Sequence, residues 1–201
     1  MRKERGNGNS VGIARSCIVY DGMKRPSSRV LSCLRKSHSA NLRCFISRMN
    51  MTSQKLPLGN DAYFQEVARW LAEGRLVTVR GQGRSMFPFI VDGRDSVVLG
   101  QARQIEVGDI VLANVRGKGY VLHRVYRRQG ESLTLMGDGN IQDKEHCDLS
   151  AVLGKAVAII RKGRYIDCDA CVERLKAAAW RRLLPLRRYL LYVPRCFPYR
   201  R

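Results

Sequence analysis

The chain has 201 residues and carries 37 Lys/Arg against 17 Asp/Glu, a formal net charge of +20. The excess sits at the ends: residues 1–50 hold 11 basic and 2 acidic side chains, 161–201 hold 12 and 3, and 51–160 hold 14 and 12. The length fits one domain with tails; the near-neutral middle excludes a nucleic-acid-binding core, and no run approaches the roughly 18 apolar residues of a membrane span.

Residues 1–50 contain eight serines and no hydrophobic periodicity. Their Arg/Ser-rich, acid-poor composition is that of an organellar transit peptide. It equally fits a disordered tail, or an over-long start ahead of Met49 or Met51. On each reading this segment is left out of the fold.

The next elements follow from periodicity. Asn60 and Asp61 can cap a helix whose apolar positions Phe64, Val67, Ala68 and Leu71 recur at three and four, with Gly74 ending it. Short strands follow, separated by glycine turns: 76–79, 95–99, 110–115, 120–126, 132–136, 152–161 and 164–168. The turns at 116–119 and 162–163 are hairpin turns. Strands at this spacing predict a mainly β fold, a small, strongly bent sheet or barrel spanning 51–168.

From Asp169 the period becomes helical. Val172, Leu175, Ala179, Leu183, Leu186 and Leu190 fall near one stripe, with arginines largely elsewhere and Pro185 breaking the helix. With Trp180, Tyr189 and Tyr192, segment 169–201 reads either as a basic amphipathic helix on an anionic membrane surface or as a helix packed on its own sheet. Seven cysteines at irregular spacing are no disulfide framework, and Cys168 and Cys171 lack a second ligand pair for a metal. Reduced thiols and a cytoplasmic setting, peripheral on a membrane at most, follow.

Function is written in three places. Ser85 stands in Gly83-Arg84-Ser85-Met86-Phe87-Pro88, His123 stands 38 residues later, and Asp138 lies in Gly137-Asp138-Gly139-Asn140. A turn serine, a strand histidine and a turn aspartate are the parts of a Ser-His-Asp hydrolase. A serine hydroxyl needs a base to take its proton, and free imidazole titrates at about 6.5, close to neutral. Val121, His123 and Val125 share one strand face, so the imidazole projects from an apolar row and needs a partner. Arg124 faces the other way, as a sheet-surface residue. Gly108-Asp109 reads as a structural turn, and His146 lies in a polar loop.

From Val77 to Val157 the chain resembles the signal peptidase I and LexA-type serine peptidases, through Ser-Met-x-Pro, Gly-Asp-x-Val and a base on the following strand. His123 stands where many members have lysine, which resembles the endoplasmic-reticulum-type branch. The resemblance implies Ser85 as nucleophile, His123 as general base, and an orienting acid at Asp138 or Asp143. It implies a serine endopeptidase acting on an extended peptide or protein substrate, with no metal or organic cofactor. The chain departs from the anchored signal peptidases in showing no spanning segment. The alternative is a non-catalytic module that binds a peptide along its sheet edge.

Overall fold

The computed structural model describes residues 16–20, 51–55 and 60–196, with side chains over 61–192. The elements are β1 (Ser16–Tyr20), β2 (Met51–Lys55), α1 (Asn60–Ala72), β3 (Leu76–Arg80), β4 (Asp95–Gln101), β5 (Ile110–Val115), β6 (Gly119–Gln129), β7 (Ser132–Met136), β8 (Lys144–Asp148), β9 (Val152–Arg161), β10 (Arg164–Asp167), α2 (Cys171–Arg182) and α3 (Arg187–Cys196). Short 3₁₀ turns at Leu149–Ala151 and Leu184–Leu186 precede β9 and α3.

The expected mainly β fold is present. All strands join one antiparallel, strongly curled sheet in the order β2-β1-β3-β4-β9-β5-β6-β7-β8, with β10 also pairing β9. Ten-residue β9 organises it, because one of its edges takes β4 and the other is shared by β5 and β10. Bulges at Val157 in β9 against β4, and at Tyr126 in β6 against β7, add bend to the sheet.

Curling buries both faces, so β5 feeds two cores by alternation. Ile110 and Leu112 join Phe64, Val67 and Leu71 of α1 in the first core. Val111, Ala113 and Val115 join Val121, Val125, Leu133 and Leu135 in the second. The α1 helix ends as the sequence requires: Gly74 takes φ +81, and the amides of Gly74 and Arg75 bond back to Leu71 and Trp70.

Three expectations need correction or completion. Ser16–Tyr20, within the segment left out on composition, pairs with both β2 and β3; its Ile-Val-Tyr run has high strand propensity. Lys144–Asp148 is a strand, although its polar sequence reads as a loop. The C-terminal helix is two helices meeting at Pro185, and its inner side, not its apolar stripe, lies against the domain: Ala177, Arg187 and Leu191 are buried while Val172 and Leu175 are exposed. Among the described residues no helix is long and apolar enough to cross a membrane.

Candidate active site

Ser85 is half-buried in the loop joining β3 to β4. Gly83 enters it at φ +87, a region that favours glycine, and donates its N–H to Asp92 Oδ2 at 3.3 Å. Met86 and Ile90 plug into the first core. The far end hangs on the buried Asp95. Its carboxylate accepts from the Val91 amide and from Arg94 and Arg161, and Arg161 also donates to the Phe89 carbonyl at 2.6 Å. Burial pushes the Asp95 carboxyl up, but these bonds outweigh it and hold it below its usual value.

The loop rests on the Gly137–Asn140 turn. Gly139 donates its N–H to the Ser85 carbonyl at 2.7 Å. A Cβ on Gly137 would come within 2.5 Å of that same oxygen, and one on Gly139 within 2.4 Å of the Arg84 carbonyl. Glycine is required at both because two backbones touch there.

His123 lies on the neighbouring strand, opposite Val111 of β5 and one register step beyond the Arg124–Met136 pair of β6 and β7. It is buried on the second-core face of β6, the strand paired with β7, whose end leads into the Gly137–Asn140 turn that carries the Ser85 loop. Its Nδ1 is 2.8 Å from Glu145 Oε2, and both side chains are only 3% exposed. Glu145 Oε1 accepts from Lys118 Nζ at 3.0 Å. Burial raises the Glu145 carboxyl, yet His123 and Lys118 together hold it below the usual range. An ionised carboxylate on Nδ1 fixes the tautomer with the proton there and leaves Nε2 as the acceptor. Nε2 is shut off from solvent and carries no hydrogen bond.

The carboxylate on His123 is therefore neither Asp138 nor Asp143. Asp138 is buried on the opposite face, in a two-pronged bond to Arg124: Nε lies 2.9 Å from Oδ1, and Nη2 lies 2.7 Å from Oδ2. Strand alternation separates them, since Arg124 and His123 are consecutive. Asp143 is exposed in the turn before β8. Nor is Arg124 a surface residue: α2 covers that face, leaving the side chain 12% exposed, with Nη1 bonded to the Gly108 carbonyl at 2.7 Å and the group over the Phe89 ring. Glu145 escaped the sequence reading because its strand, Lys-Glu-His-Cys-Asp, lacks apolar alternation. The available signal was a buried imidazole with an acid on the next strand but one.

The C-terminal helices hold the turn from behind. Trp180 Nε1 donates to the Asp138 carbonyl at 3.0 Å, and the buried Arg187 donates to the carbonyls of Asn140 and Trp180 at 3.1 and 3.2 Å while stacking on Trp180. Asp109 is structural as read: it accepts from the Glu106 amide and pairs with Lys155 and Arg174, tying its turn to β9 and α2. His146 is exposed and bonds Thr134 at 3.3 Å. Burial pushes the Cys168 thiol up to about 12, so it stays protonated, and no group of three metal-ligating side chains occurs among the described residues.

Comparison with known proteins gives the same region. Residues 45–159, more than half of the chain, match the family model described as Peptidase S24-like. A LexA repressor 2 from Nocardia farcinica is 32% identical over 92 residues, which cover 46% of this chain and 37% of that protein. The chain thus spans well under two thirds of that relative's length. No solved structure gives a significant match.

Proposed function

Because the chain belongs to the Peptidase S24-like family, we propose that it is a serine endopeptidase in which Ser85 attacks, His123 is the general base and Glu145 orients it. The observation that carries this reading is the buried His123–Glu145 pair with an unbonded Nε2, on the strand that pairs with β7 ahead of the turn on which the Ser85 loop rests. Nε2 takes the Ser85 proton as Oγ adds to the scissile carbonyl. Backbone amides of the Gly83–Met86 turn stabilise the oxyanion. The imidazolium, held by the Glu145 carboxylate, then gives its proton to the leaving amine, and water releases the acyl group by the same route in reverse. Catalytic hydrogen bonds are often long without substrate and tighten in the complex, which accounts for the unbonded Nε2. The substrate is an extended peptide segment, in keeping with the signal-peptidase resemblance, and the site calls for no metal or cofactor.

The test is covalent labelling of the intact protein with a fluorophosphonate. Labelling of the unmodified chain, lost in Ser85→Ala and His123→Ala with unchanged thermal melts, is the expected outcome. A second reading, a peptide-binding module without chemistry, is favoured by one observation, the absent bond to Nε2. It predicts no labelling at all. Equal labelling of Ser85→Ala and the unmodified protein rules out the nucleophile assignment.

A further inference from the structure

The α2–α3 pair has two unlike sides. The inner side is fixed to the domain by buried Ala177, Arg187 and Leu191 and by the Trp180 bond to the Asp138 carbonyl. Trp180 therefore belongs to the inner side, not to the surface stripe. The outer side carries Val172, Leu175, Leu186, Tyr189, Leu190 and Tyr192, each between 43% and 71% exposed. Six large apolar side chains on one 22-residue stretch are more than isolated exposed residues, and such patches mark contact surfaces. The break at Pro185 re-phases the helix, so that Arg187 turns inward while Leu186 and Leu190 stay outside.

Charge selects the occupant. Within 171–192 the acidic residue is Glu173, and Lys176 neutralises it. Arg174 is likewise paired, with Glu106. Arg182 and Arg188 are exposed beside the apolar residues, with no carboxylate bonded to either among the described residues. A second copy docked face to face would bring these arginines together, and an uncharged apolar partner would leave them without anions. An interface that is apolar below and anionic above satisfies both, and neither helix, at 12 and 10 residues, is long enough to do more than lie in it.

We propose that the outer face of α2–α3 docks the protein in the plane of an anionic lipid bilayer, with Val172, Leu175, Leu186 and Leu190 in the acyl boundary and Arg182 and Arg188 at the headgroups. The inner contacts make the attachment rigid and set the orientation of the domain above the membrane. This inference is independent of the peptidase reading.

The test is flotation of the intact chain with phosphatidylcholine vesicles, with and without about 30% phosphatidylglycerol, at about 50 mM and about 500 mM salt. Binding to the anionic vesicles alone, weakened by salt, is expected. Because a chain of +20 is attracted to anionic vesicles by any basic region, the deciding variant is the uncharged Leu175→Gln with Leu186→Gln. It removes two exposed apolar groups without changing the net charge, the charge pairs or the core, and its affinity should fall at least about tenfold. A second readout needs no destabilising change: Tyr189→Trp should shift its emission to the blue on anionic vesicles. Absence of binding, equal binding by the double glutamine variant, or an unshifted Tyr189→Trp spectrum overturns the proposal. So does a dimer in sedimentation equilibrium that the double variant dissolves.

Discussion

His123 and Arg124 are neighbours in sequence, and each carries a buried carboxylate, yet the two pairs are built for different ends. Arg124 is saturated: its guanidinium is spent on Asp138 and the Gly108 carbonyl, and its charge does not change near neutrality. His123 is engaged at Nδ1 only, and its second nitrogen is left over. One face of β6 thus holds a fixed ion pair that fastens the Gly137–Asn140 turn, and the other holds a pair with a proton acceptor to spare. A buried ion pair alone does not point to chemistry; what supports the proposed role of His123 is its unspent nitrogen.

The comparison breaks most visibly in stability. Arg124→Met leaves Asp138 buried and unpaired, and should cost about 3–5 kcal/mol; urea unfolding measures it. His123→Ala leaves Glu145 its bond to Lys118, and should lower the urea midpoint far less while removing labelling. Chemistry divides the pairs the other way. Glu145→Gln should keep the fold and slow probe labelling at least about a hundredfold, since the amide cannot stabilise the imidazolium. Asp138→Asn should move the urea midpoint more than the labelling rate of the folded fraction. Equal effects of both on labelling would erase the distinction.

Acid sharpens it further. The folded values of Asp95 and Glu145 are both lowered from 3.8 and 4.5, so the stability they add is fully present above those values and is lost as pH falls through the folded ones. The urea midpoint should hold from neutrality to about pH 5 and then fall. The fall should be shallower in Glu145→Gln. Smaller still is Lys118→Met, whose ammonium is half exposed: about 1 kcal/mol or less in stability, with a lower labelling rate if the lysine helps hold Glu145 in place. Asp143→Asn, exposed in its turn, should stay within about 0.5 kcal/mol of the unmodified protein and label as fast.

The sequence carried most of the sheet, because β3–β7 and β9 bury apolar residues whose alternation shows. It also singled out His123, because a polar group in an apolar strand row violates local expectation, and Ser85, through the Ser-Met-x-Pro resemblance rather than any local oddity. The structure places Ser85 in the β3–β4 loop and His123 buried on Glu145. It hid β8 and Glu145 for the converse reason. The buried face of Lys-Glu-His-Cys-Asp is a glutamate and a cysteine, so its amphipathicity is invisible until the partner histidine is placed. Asp138 misled because adjacency along the chain says nothing of which face a side chain meets. Arg124, a strand position away from His123, was the residue able to claim it. The C-terminal stripe left two readings open for a different reason, since helical periodicity finds an apolar side but not which way it faces.

Gly137 and Gly139 leave the Ser85 loop no clearance: the backbones meet where a single methyl would stand. The position of Ser85 is consequently set by a joint that tolerates no thickness. Gly139→Ala touches neither the hydroxyl, the imidazole nor the carboxylate, yet it must wedge the Arg84–Ser85 backbone away from the turn. An ångström of misplacement is worth about a hundredfold in rate. On the proposed mechanism, then, the rate is governed in part by an atom that takes no part in the reaction.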